Sequence, residues 1–140
     1  MTEYDMTRGP DKDAINAAFR GAMDVGARPS IWTMTEAELQ AEVIALCKRH
    51  RVRWIHVSTV RFNNAPDLKG FPDLQLIGRC RIAYRELKKQ SGRMNPEQTT
   101  WKYALVATGA DWDLWRPSDL ESGRIEREIT ELNQPRRTAP

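Results

Sequence analysis

Two strand-forming stretches, Asp73–Ile77 and Arg81–Lys88, meet at a three-residue connection, Gly78–Cys80. So short a link joins antiparallel strands, because a parallel crossover needs a dozen residues or more. A hairpin in the middle of the chain therefore argues against an all-parallel sheet. Val52–Val60 is rich in β-branched residues and alternates. Arg53, Ile55, Val57 and Thr59 fall on one face and Val52, Trp54, His56 and Ser58 on the other, which predicts a strand. A loop with Asn63, Asn64, Pro66 and Gly70 separates it from the hairpin. Asp111–Arg116 alternates as a short strand that Pro117 ends.

Helical signals surround these strands. Asp11–Val25 carries Ile15, Phe19 and Met23 at helical spacing, and Gly26–Ser30 reads as a linker. Thr35 is a good N-cap with Glu38 three residues on, and Leu39, Val43, Ile44, Leu46 and Cys47 make an apolar stripe. Asn95-Pro96-Glu97-Gln98 is a strong helix start, with Trp101, Ala104, Leu105 and Thr108 on one face and Gly109 at the C-terminal end. A last helix is expected over Ser118–Leu132, with Ile125, Ile129 and Leu132 inward. Asn133–Pro140 is expected to be a disordered tail. The order reads as an α/β domain: a central mixed β-sheet flanked by α-helices. Its expected extent is 31–132, after an N-terminal extension and linker over 1–30 and before the tail, 133–140.

With 140 residues, one domain and a modest tail fit. No run approaches 18 apolar residues and the start lacks the apolar stretch of a signal peptide, so a soluble, cytoplasmic protein without membrane contact is expected. Cys47 and Cys80 match no metal-site spacing and read as free thiols. The net charge of +3 conceals an uneven distribution. Residues 48–93 hold twelve Lys or Arg against Asp67, Asp73 and Glu86, a net +9, which leaves −6 on the rest. A basic middle between acidic flanks is the footprint of a phosphate-backbone binder, although a solvated basic face accounts for it equally well.

Within that segment the hairpin places its acids. Ile82, Tyr84, Glu86 and Lys88 share a strand face, and a turn near Arg79 puts Asp73 across from Glu86. Two carboxylates and an ammonium then meet at one end of the hairpin. Such a set suits metal-assisted phosphodiester cleavage: the carboxylates hold Mg²⁺, and Lys88 orients water or stabilises the transition state. The blander reading makes Asp73 a turn residue after Pro72, and Glu86 and Lys88 an exposed strand edge.

The motifs Gly70-Phe71-Pro72-Asp73-Leu74, Glu86-Leu87-Lys88 and Gly92-Arg93-Met94-Asn95-Pro96-Glu97-Gln98 with Trp101 together resemble the VRR-NUC family of the PD-(D/E)xK nucleases. Thr35-Glu36-Ala37-Glu38-Leu39-Gln40, Thr108-Gly109 and Trp115-Arg116-Pro117 are also similar to it. The likeness runs over about 35–117 and is nearest to short stand-alone members, often phage-encoded. It implies a restriction-endonuclease-like core and DNA cleavage dependent on Mg²⁺ or Mn²⁺, with no small-molecule cofactor. Asp73, Glu86 and a first-helix acid would be metal ligands, Lys88 the catalytic lysine and Gln98 a further site residue. It also implies a homodimer acting on branched DNA such as Holliday junctions. The extra segment Met1–Ser30 and the charged Asp67–Lys69 depart from the pattern and bear on substrate preference. A DNA-binding module that no longer cuts, and a nicking nuclease working with a phage replication or packaging complex, remain as alternatives.

The first-helix acid is Glu36 or Glu38. Glu38 already fits a capping box with Thr35, whereas Glu36 shares a face with Gln40, Val43 and Cys47, which favours Glu36. Gln98 equally fits the reciprocal cap of Asn95. His56 and Ser58 stay outside the catalytic set, since a lone strand histidine is more often a core residue. Trp54, Trp101, Trp112 and Trp115 read as core. The amphipathic stretch Asp11–Met23 is expected to cover a neighbouring subunit.

Overall fold

Thr35 starts the first helix as its side chain predicts. In the computed structural model, which describes residues 29–57 and 66–137, its hydroxyl oxygen accepts the Glu38 N–H at 3.1 Å. The helix, α1, runs over Glu36–Arg49 and buries Leu39, Val43, Leu46 and Cys47. Strand β1 covers Arg53–His56, β2 Leu74–Ile77 and β3 Ile82–Leu87. Helix α2, Pro96–Ala107, connects β3 to β4, Asp111–Trp115, and two short helices follow: α3, Pro117–Glu121, and α4, Arg124–Glu131.

The sheet order is β1-β2-β3-β4. The first two pairings are antiparallel and β3 pairs with β4 in parallel, so the sheet is mixed and flanked by helices. Leu74 pairs with Arg85. The same register carried one step further sets Asp73 against Glu86. One sheet face supplies Leu74, Leu76, Ala83, Leu87 and Trp115 to a core completed by α1 and by Ile125 and Ile129 of α4. Leu39 is fully buried there, and truncating it to Ala would cost about 2–5 kcal/mol. The opposite face is only partly covered, by α2, which buries no residue completely.

Several expectations are revised. The single helix over Ser118–Leu132 is two helices, broken where Gly123 takes a left-handed φ of +83°. The start of the expected tail is engaged: Asn133 donates from its amide to the His50 carbonyl at 2.7 Å and accepts the Arg79 N–H at 3.0 Å. Arg85, counted in the basic footprint, is 3% exposed and faces inward. Its guanidinium pairs with Asp111 at 2.9 Å and Glu128 at 3.1 Å and stacks 4.9 Å from the Trp115 ring. Trp115 is core, Trp54 packs against it, and Trp101 and Trp112 are half-buried. Cys47 and Cys80 are free thiols. Burial pushes the Cys47 thiol up to about 12, so it is unreactive packing. The expected helix over 11–25, the linker through Arg28, and Ser58 lie outside the described residues. Among the described residues no helix is long and apolar enough to cross a membrane.

Candidate active site

The site lies at the end of the hairpin opposite its turn, and each of its side chains is held by a neighbour. Asp73 follows the buried Pro72 and precedes β2. Its Oδ2 accepts the Leu87 N–H at 2.8 Å, while its carbonyl accepts the Val57 N–H at 3.0 Å. β1, β2 and β3 thus converge on this residue. Glu86 is 2% exposed. Burial, foremost, and then the charge and hydrogen bond of Asp73 push its carboxyl up to about 9, against a smaller opposing pull from Lys88. Glu86 therefore keeps its proton at neutral pH.

Lys88 continues the β3–β4 pairing, its N–H donating to the Trp115 carbonyl at 3.1 Å. Its ammonium stands 3.9 Å from Glu86 Oε1 and 3.9 Å from Glu36 Oε1, with the side chain 12% exposed. Glu36 is therefore the first-helix acid brought to the site. Glu38 is engaged by Thr35, whose hydroxyl donates to its Oε1 at 3.0 Å. Glu36 reaches Lys88 rather than joining the carboxylate pair. Among the described residues no three His, Cys, Asp or Glu side chains cluster tightly enough to form a ready-made metal cage. Asp73 and Glu86 supply two hard oxygen ligands, and a divalent cation could take the place of the proton that Glu86 retains. This pair fits such an ion, and Glu36 is linked to it through Lys88.

Gln98 serves two purposes. Its Oε1 accepts the Asn95 N–H at 3.0 Å, closing the capping box of α2, while its Nε2 donates to Glu86 Oε1 at 2.8 Å. The start of α2 is brought here by Gly70, whose φ is +87° and where a Cβ would lie 2.4 Å from the Glu97 carbonyl carbon. No other residue type fits both conditions without displacement. Beside it Phe71 packs edge-on against Trp101 and Tyr84, with ring centres 5.0 Å and 6.0 Å apart. The Trp101 indole donates to the Lys69 carbonyl at 3.0 Å. Glycine, aromatic, proline and acid in this string each have a separate structural task.

An open cavity of about 330 Å³ adjoins the pair, lined by Glu36, Ala37, Gln40, His56, Val57, Asp73 and Leu87. His56 thus faces the site from the end of β1, a position that strand alternation alone did not distinguish from core. Arg116 was also not singled out by its own chemistry. Its guanidinium donates to the carbonyls of Lys89, Gln90 and Gly92 at 2.9, 3.1 and 2.7 Å, holding the loop that follows Lys88. The only signal for it was its place in Trp115-Arg116-Pro117. Compared with protein-family models, curated proteins and solved structures, the chain matches none.

Proposed function

We propose that the protein is a metal-dependent DNA endonuclease with a restriction-endonuclease-like core, of the PD-(D/E)xK type that its motifs resemble. One observation carries the reading. Asp73 and the buried Glu86 stand side by side at one sheet end, with the Lys88 ammonium 3.9 Å from Glu86, beside an open cavity that Asp73 lines. Buried like-charged carboxyl groups are costly, and a fold that keeps them together uses them.

In this reading Asp73 and Glu86 hold Mg²⁺ or Mn²⁺. When bound there, such an ion would supply a water of lowered pKa and positive charge beside the scissile phosphate. Leu87 fixes Asp73 through its N–H, and Gln98 fixes Glu86 through its amide. Lys88, steadied between Glu36 and Glu86, orients the attacking water or donates to a phosphate oxygen. His56, at the rim, is placed to contact the phosphate backbone. The substrate is branched DNA, taken by a homodimer, as the motif resemblance implies.

Cleavage of a panel in Mg²⁺ tests this: linear duplex, flap, fork, splayed arm and four-way junction. Cutting of branched forms that stops in a chelator is the expected outcome. A panel left intact in both Mg²⁺ and Mn²⁺ rejects the proposal.

A further inference from the structure

The turn of the hairpin, away from Glu86, presents a second charged surface. Gly78 lies so close to the end of α4 that a Cβ there would stand 2.2 Å from the Leu132 carbonyl oxygen. That oxygen accepts the N–H groups of Cys80 and Arg81, each at 3.1 Å. The turn is therefore clamped by backbone contacts. The Arg81 guanidinium donates to the carbonyls of Gln134 at 2.9 Å and Pro135 at 3.1 Å, which draws the chain beneath the turn. Arg136 is thereby delivered to the same groove.

This groove encloses about 630 Å³, and Arg79, Arg81 and Arg136 line it together with Ile82, Tyr84 and Asp111. Asp111 is already paired with Arg85. Among the described residues no carboxylate pairs with Arg79, Arg81 or Arg136. Three guanidinium groups held around one groove repel one another unless an anion sits among them. Ile82, Tyr84 and Glu86 alternate onto one face of β3, so the groove and the carboxylate pair lie along the same strand. Four residues of strand separate Ile82 from Glu86, about 13 Å. A DNA strand in duplex form advances about 3.4 Å per nucleotide, so about four nucleotides span that distance.

We infer that the arginine groove is a second DNA contact, taking backbone phosphates about four nucleotides from the one at Asp73 and Glu86. The inference rests on the endonuclease reading, and its test separates the two. Arg79 and Arg136 are exposed and can be changed, whereas Arg81 holds the chain under the turn and is left in place. Binding of a labelled 24-base-pair duplex is measured in chelator against NaCl concentration. Three proteins are compared: wild type, Arg79→Ala with Arg136→Ala, and Arg49→Ala with Arg127→Ala, which removes equal charge elsewhere. The groove variant is expected to bind roughly tenfold more weakly at 0.1 M salt, its salt slope lower by about 1.8, while the control keeps most of both. Equal behaviour of the two variants overturns the inference. So does a wild-type dimer that the groove variant turns into a monomer, which would make the groove a contact between copies. Groove-dependent binding by a wild type that never cuts leaves the groove standing and rejects the nuclease. Cutting with unchanged binding in the groove variant does the reverse.

Discussion

Gln98 donates from Nε2 to Glu86 Oε1 at 2.8 Å while its own Oε1 accepts the Asn95 N–H at 3.0 Å. One side chain thereby joins the stability of α2 to the orientation of a buried carboxyl. Gln98→Ala removes both bonds and is expected to cost about 1–2 kcal/mol. Gln98→Glu keeps the cap, because glutamate closes a capping box equally well, but sets a third carboxylate against Glu86. It should melt within a few degrees of wild type yet cut DNA at least tenfold more slowly. Melting curves and single-turnover cleavage on the same preparations check this; an unimpaired Gln98→Glu enzyme refutes the positioning role.

The raised Glu86 carboxyl makes stability depend on pH in a stated direction. The group ionises near 4.5 in the unfolded chain and near 9 in the metal-free fold, so the fold binds the extra proton between those values. Its contribution is complete below about pH 4.5 and is lost as pH rises through 9, with a total on the order of a few kcal/mol. Urea unfolding at pH 5, 7 and 9 in chelator should show wild type losing stability relative to Glu86→Gln as pH rises. Parallel pH profiles for the two proteins contradict the assignment.

Metal binding should displace that same proton. At pH 7 each Mn²⁺ bound is expected to release about one proton, and affinity should rise with pH up to about 9. Calorimetry in two buffers of different ionisation enthalpy measures the release directly. Heats independent of the buffer would show that Glu86 is not a ligand.

Where local signals govern, the sequence was readable. Thr35 and Asn95 cap their helices as their neighbours demand, and the short Gly78 connection fixes the register that brings Asp73 to Glu86. Both readings of Gln98 hold at once, because an amide has a donor and an acceptor to divide. Tertiary relations were less visible. Arg85 looks like a surface charge on a basic stretch, and only the arrival of Asp111 and Glu128 from distant segments makes it an interior one. Ser118–Leu132 carries helical spacing throughout, yet Gly123 turns the chain because the second half must fold back onto α1. His56 alternates in phase with Trp54, and nothing local reveals that its end of β1 opens on a cavity.

Arg116 should couple the β4 end to the site. Its three contacts with the 89–92 loop all come from one guanidinium nitrogen, Nη1, so removing the side chain releases the loop. Arg116→Ala is expected to lose about 1–3 kcal/mol of stability. Below its melting temperature it should cut severalfold more slowly, with DNA affinity in chelator unchanged. Loss of affinity in step with rate would instead place Arg116 on the DNA.

The most direct test of the site is single-turnover cleavage of a four-way junction in Mg²⁺ and in Mn²⁺ by wild type and Asp73→Asn. The account predicts cutting by wild type and a loss of at least about a hundredfold in Asp73→Asn, with binding in chelator within about threefold of wild type. An Asp73→Asn protein that cuts at the wild-type rate would contradict it.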